Sequence, residues 1–273
     1  MAVIAISRQV AACGDEIAAS LAQKLHYRFI GRQMIEQKLV DLGFPEEKLK
    51  KYDEKKPGFF ASLAKDRDEY LDYLQTAILE SAVEGNCVLI GRGAFFILNE
   101  VPNLFAVRLV AKDDVRIKRL MDEFSWDEKQ ARQRIEESDN NRLGFHKSFF
   151  NLTNEDPALF HLALNTGIVD VETASYTIAD VCQRVVTLEQ EEKGGQKLQE
   201  LLAAQRLVNA LVFEHSLNIN FLKAYISGDT VTLQGVANSS AQSEQAASIA
   251  ARMMPDKRVV SSISVVQDFK SYP

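Results

Sequence analysis

Cysteine is scarce in this chain, with three in 273 residues: Cys13, Cys87 and Cys182. They lie far apart and show no C-x-x-C spacing. Neither a disulfide framework nor a cysteine metal centre is expected, and a reducing compartment suits them. Positive charge is also short. Thirty-two Lys and Arg against 38 Asp and Glu give a formal net charge of −6. A general nucleic-acid binder needs clustered cations to meet phosphates, so no nucleic-acid partner is expected. No apolar stretch approaches the length that spans a bilayer. The apolar run after Met1 is too short for a signal peptide, and no basic region precedes it. The expectation is a cytoplasmic protein. What the chain does hold is 46% hydrophobic residues, enough to bury a sizeable core. Its length fits one large domain or two.

The first eighteen residues organise the rest. Residues 2–6 form a short apolar run with the character of a buried strand. A polar, small-residue loop follows at 7–15. A helix is predicted from about Glu16, with Ile17, Leu21 and Leu25 at helical spacing. Strand, tight loop, helix is an arrangement that holds phosphate, because loop amides and the positive helix N-terminus face the anion. Downstream, strands are predicted at 26–31, 87–90, 104–110 and 160–164. Helices are predicted at 32–42, 63–83, 112–123, 127–137 and 171–185. Residues 42–57, Lys/Glu-rich and broken by Pro45 and Pro57, are expected to be an exposed, mobile excursion. Residues 138–150 are set apart as a mixed aromatic and basic segment. Alternating strands and helices imply a mostly parallel, three-layer α/β sheet.

Composition shifts at 189–197, where charge is followed by Gly194 and Gly195, and a linker is expected there. Beyond it the pattern is helix (198–213), strand (219–226), strand (229–236), helix (240–254) and strand (259–267). That order suits a small α+β domain. The domains are accordingly placed at 1–188 and 198–270.

Residues Ile6 to Gln9, Gly14 with Glu16-Ile17-Ala18, the strand ending in Gly91-Arg92-Gly93, the arginines at 116–119, the segment 139–150 and Asn165-Thr166-Gly167 occur in an order that resembles the cytidylate kinase-like family of P-loop nucleoside-monophosphate kinases. The resemblance covers about residues 1–188. It implies a P-loop kinase-like three-layer α/β/α parallel sheet with a helical lid. It also implies phosphoryl transfer from ATP, with Mg²⁺, to CMP, dCMP or a related monophosphate. On this chain Ser7, Arg8, Gln9, Gly14, Asp15 and Glu16 would wrap the donor phosphates. Arg32, Gly91, Arg92, Gly93 and Asp139 would bind the acceptor. Arg8, Arg134 and Arg142 would act on the transferring group, with Arg132 beside them on the lid, and Asp15 is the metal candidate.

The loop departs from the pattern G-x-x-x-x-G-K-[ST]. In that register Arg8 and Cys13 replace the glycines, Gly14 the lysine and Asp15 the hydroxyl residue. The family's Gly-Ser-Gly-Gly core reads Ala11-Ala12-Cys13-Gly14 here. Arg119, like its neighbour Arg116, is expected on a solvated helical face.

The second part, with the helix RLVNALV and the run from Gly228 to Gly235, is similar to BON domains. That resemblance implies an α-β-β-α-β binding module for a protein or phospholipid partner. A homo-oligomer is compatible with it. Two functions fit the sequence: a nucleoside-monophosphate kinase, or a catalytically impaired nucleotide sensor or scaffold whose C-terminal module docks a partner.

Overall fold

The computed structural model describes residues 2–49, 52, 64–153 and 156–266. Contacts divide the chain into two compact units, residues 1–195 and 196–273. Among the described residues no helix is long and apolar enough to cross a membrane.

The first unit is built on β1 (Val3–Arg8), α1 (Gly14–Leu25), β2 (Arg28–Ile30), α2 (Arg32–Asp41), α3 (Glu46–Leu49), α4 (Ala64–Val83), β3 (Cys87–Ile90) and α5 (Ala94–Ile97). It continues through β4 (Leu104–Val110), α6 (Asp113–Phe124), α7 (Glu128–Phe150), β5 (Leu162–Asn165) and α8 (Val171–Val185). Five strands form one sheet in the order β2-β3-β1-β4-β5, and every pairing is parallel. Strands buried on both faces read as near-continuous apolar runs, and β1, β3 and β4 are VIAISR, CVLI and LFAVRLV, whose buried polar members Ser7 and Arg108 bond to each other. On one face Ile4, Ile6, Val88, Ile90, Phe105, Val107 and Leu109 pack against Ile17 and Leu21 of α1 and Ile178 and Cys182 of α8.

The chain leaves β1 towards β2 on one side of the sheet and leaves β4 towards β5 on the other. Adjacent strands whose connections diverge open a crevice at their carboxyl ends. The loop 9–13 sits at that crevice.

Three expectations are corrected. Residues 42–57 are not an exposed excursion where they are described. Phe44 and Tyr52 are buried, and Tyr52 stacks on Tyr70 at 4.5 Å while Phe44 meets Tyr70 edge-on at 5.5 Å. The rest of that stretch, save α3, lies largely outside the described residues. Residues 127–137 and 138–150 are one helix, α7. A capping box between Asp127 and Gln130 starts it, and a buried face of Ala131, Ile135, Arg142, Phe145 and Phe149 runs its length. Burial along that face overrides the weak helix preference of Asp139, Asn140 and Asn141.

The third correction concerns 189–197, which are helical within α9 (Leu188–Asn209). Thr187 and Gln190 cap the start reciprocally, and Glu189 pairs with Lys193 one turn on. Gly194 is a packing residue there, because a Cβ would collide with the Asn103 side chain. The short helix α5 had no counterpart in the sequence reading.

In the second unit α9 runs into a π-helical turn, Ala210–Glu214, followed by β6 (Ile219–Ser227), β7 (Thr230–Ala237), α10 (Ser240–Met253) and β8 (Arg258–Val265). The sheet order is β6-β7-β8, with the first pair antiparallel and the second parallel. Leu207, Leu211, Val231, Leu233, Ile249 and Ile263 form a separate core.

Candidate functional site

The loop after β1 is fastened at both ends. Gln9 donates its amide N–H to Leu109 O (3.0 Å), and its side-chain Oε1 accepts from the Ala111 amide (3.0 Å). This locks the carboxyl ends of β1 and β4 together. Ala11 and Cys13 adopt left-handed φ of 57° and 54°. These are positions where the family pattern carries glycine. The loop therefore keeps the backbone shape without the residues that adopt it freely, at about 1–2 kcal/mol per side-chain-bearing residue.

Cys13 is the N-cap of α1 and makes no side-chain cap. The first amides of a helix have no intrahelical partner and carry a partial positive charge. Gly14 is required by close approach: a Cβ there would fall 2.6 Å from Arg8 Cγ. The Arg8 stem thus lies across the start of α1.

These residues form one wall of a cleft of about 1240 Å³. Arg8, Gln9, Val10, Ala11, Cys13, Gly14, Asp15 and Glu16 line it on the loop side. Arg32 comes from α2, Arg119, Asp122 and Glu123 from α6, and Arg134, Ser138, Asn141 and Arg142 from α7. Phe124 and Trp126, stacked at 4.7 Å, complete it. Five arginines and four carboxylates thus face one cavity. Val10 and Ala11 also pack with Leu120, Ala131 and Trp126, so the loop and the α6–α7 hairpin share a small apolar cluster.

Arg119 holds the loop in place. Its Nη1 donates to Ala11 O at 2.9 Å and to Thr166 Oγ1 at 3.2 Å, and its Nη2 donates to Thr166 O at 2.6 Å. The expectation of a solvated face is wrong for Arg119. It is wrong for Arg116 as well, which is buried and donates to Asp113 at 2.7 Å and to both Asp139 oxygens at 2.9 and 3.2 Å. Burial disfavours the Arg116 charge, but the two carboxylates outweigh it and raise its pKa above the ordinary arginine value.

Of the residues singled out from the sequence, Arg8, Gln9, Gly14, Asp15, Glu16, Arg32, Arg134 and Arg142 converge on the cleft. Ser7, Gly91, Arg92, Gly93 and Asp139 are not on its lining. Ser7 is buried beside its register partner Arg108, accepting from Arg108 Nη1 at 2.8 Å. Asp139 ties α7 to α6 through Arg116 and also meets Arg142 at 3.4 Å. Arg132 pairs with Glu128 on the surface of α7. Arg92 is buried and donates to Glu36 Oε1 at 2.6 Å, Tyr52 O at 3.0 Å and Tyr70 Oη at 3.3 Å. Arg119, Glu36 and the Phe124–Trp126 pair escaped sequence reasoning. Each sits in a helix or turn pattern that a solvated surface would also produce.

Among the described residues no three metal-ligating side chains gather as a cluster. Mg²⁺ in a kinase takes one or two carboxylates together with substrate phosphates and waters. Asp15 and Glu16 at the loop and Asp122 and Glu123 opposite are chemically suited to that.

A five-stranded parallel sheet with a tight strand-to-helix turn at its switch point, facing an arginine-lined cleft, has the architecture of P-loop kinase-like α/β proteins. The profile of the cytidylate kinase-like family matches residues 3–168, and the chain belongs to that family. No curated protein matches the chain. An uncharacterized protein from Eubacterium ventriosum ATCC 27560 is similar in structure, with a TM-score of 0.55 at 24% identity over 67% of this chain and 98% of that one. Shikimate kinase from Bacteroides thetaiotaomicron matches over 74% of this chain and 98% of its own, at 16% identity and a TM-score of 0.37. The YorR protein of Bacillus subtilis, in complex with phosphorylated GDP, matches over 66% and 95%, at 16% identity and a TM-score of 0.40.

Proposed function

We propose that the chain is a nucleoside-monophosphate kinase that transfers a phosphoryl group from ATP to CMP, dCMP or a related monophosphate. The observation that carries this reading is the loop. Ala11 and Cys13 hold left-handed turns at the edge of a cleft lined by five arginines, which supports reading the loop as a phosphate loop. Phosphoryl transfer asks little covalent work of a protein; positioning and charge neutralisation supply the rate.

In this reading the loop amides and the start of α1 hold the donor phosphates. Arg8 supplies the cation that the missing lysine would give. Arg134 and Arg142, from the opposite wall, face the transferring group, and Arg119 positions the loop. An oxygen of the acceptor phosphate attacks the γ-phosphorus, the bond to the β–γ bridging oxygen breaks, and ADP leaves. Mg²⁺, held by Asp15, would offset the phosphate charge.

A coupled assay with ATP and a panel of monophosphates tests the reading. Turnover is expected, and Arg142→Ala should lower kcat/KM by about a hundredfold, the loss of one charge-assisted contact in the transition state. No turnover above the Arg142→Ala level overturns it.

The second reading, a nucleotide sensor or scaffold, draws on Asp15 standing where a hydroxyl belongs and on the absence of the loop lysine. The BON-like segment 198–270 would then dock a protein or phospholipid partner. Calorimetry decides between the two: ATP binding without turnover favours the sensor.

A further inference from the structure

Glu36 stands one turn into α2 and is bonded to more than its own helix. Its Oε1 accepts from Arg32 Nε at 2.9 Å and from Arg92 Nη2 at 2.6 Å. Arg32 is 53% exposed and lines the cleft, Glu36 is 23% exposed, and Arg92 is 3% exposed. Arginine–carboxylate pairs four residues apart are ordinary on helix surfaces, and this chain has others at Glu128–Arg132 and Asp180–Arg184. Glu36 differs because a second, buried arginine from the turn after β3 closes on the same oxygen. Arg92 does not depend on Glu36 for its direction, since Nη1 is held by Tyr52 O and Tyr70 Oη.

A carboxylate oxygen gripped by two guanidinium groups has the same chemistry as a phosphate oxygen gripped by two guanidinium groups. We propose that Glu36 is an internal competitor for a phosphomonoester: its carboxylate fills the position of an acceptor phosphate oxygen between Arg32 and Arg92. This rests on the reading of the cleft as a kinase site with its acceptor near Arg32. An incoming phosphate displaces Glu36 at least from Arg32, the exposed member of the pair. A dianionic phosphomonoester competes better than a carboxylate or a phosphodiester, each of which carries one negative charge. Glu36 thereby sets both the affinity and the charge selectivity of the acceptor subsite.

The test is Glu36→Gln in the full chain, titrated with inorganic phosphate, CMP, cytidine and ATP. Trp126 is the only tryptophan and lines the cleft, so its fluorescence reports binding. Glu36→Gln should bind inorganic phosphate and CMP about tenfold more tightly, because one nearby like charge is removed. Cytidine, and ATP in the donor part of the cleft, should change by less than about twofold. Glu36→Asp, one methylene shorter and unable to span both arginines, should gain an intermediate amount, and it decides the matter if Glu36→Gln does not fold. Unchanged or weaker phosphate binding in a folded variant, or no phosphate binding by any form, overturns the proposal. A gain in phosphate affinity without turnover by any form leaves Glu36 as the competitor and removes the kinase reading. Turnover without such a gain removes only the role of Glu36.

Discussion

Cys13 concentrates the chemistry of the loop in one residue. It holds a left-handed φ, caps α1 with its backbone alone and lines the cleft. A helix N-terminus ordinarily favours a thiolate. Here partial burial pushes the thiol pKa up, Arg119 opposes the rise, and Glu16 and Glu123 add to it. Cys87 and Cys182 are pushed up to about 12 by burial. The thiolate is the reactive form, and a raised pKa leaves less of it at neutral pH than a free cysteine has. A chromogenic disulfide reagent at neutral pH should therefore modify one of the three thiols, slowly. The rate should climb as pH rises past the ordinary thiol range. Phosphate or nucleotide in the cleft should slow it, and all three thiols should react in denaturant. Fast reaction of Cys13 at pH 7 would show that the helix N-terminus outweighs burial.

The turn after β3 shows how an element can match a motif and still work differently. Gly91, Arg92 and Gly93 hold three successive left-handed φ values of 77°, 54° and 69°. The turn swings Arg92 inward to Glu36, Tyr52 and Tyr70 and brings the Gly93 backbone against Phe150. A Cβ at Gly93 would enter the Phe150 ring, itself packed on Phe96 at 4.8 Å. Gly93→Ala combines backbone strain with overpacking against the end of α7 and should destabilise the first unit by roughly 3 kcal/mol or more in urea melts. A loss under about 1 kcal/mol would mean that α7 shifts easily. The arginine helices repeat the lesson. Arg116 and Arg119 lie one turn apart on α6, yet one is buried among carboxylates and the other reaches Ala11 in the loop after β1. Helical spacing places both on neighbouring positions but does not say what crosses above them.

At the scale of the molecule, the two units carry separate cores. Leu233, in the middle of β7, is fully buried in the C-terminal one. Leu233→Ala should cost about 2–5 kcal/mol. The loss should appear in the unfolding of residues 196–273, while the unfolding of residues 1–195 in urea stays unchanged. A matching loss in the unfolding of residues 1–195 would show that the two units are energetically coupled. The net charge of −6 coexists with a cleft lined by five arginines and four carboxylates, so a whole-chain balance does not give the sign of the local field.

Much of the fold was legible in the sequence because it depends on local periodicity. The apolar runs at 87–90 and 104–110 and the helical pattern at 171–185 coincide with β3, β4 and α8. The order of motifs likewise pointed to the cytidylate kinase-like family, to which the chain belongs. What the sequence could not decide was where long polar side chains end. An arginine reaches several ångströms from its Cα, so chain spacing cannot separate a cleft lining from a buried brace. Only the packed structure turned Arg92 onto Glu36, drew Arg119 to Ala11, packed Gly194 of the 189–197 helix against Asn103, and held Ala11 and Cys13 in the backbone shape that glycines would otherwise have supplied. The loop's missing glycines are visible in the sequence; that the loop keeps left-handed turns at Ala11 and Cys13 without them goes with tertiary contacts at Gln9, Arg8 and Arg119.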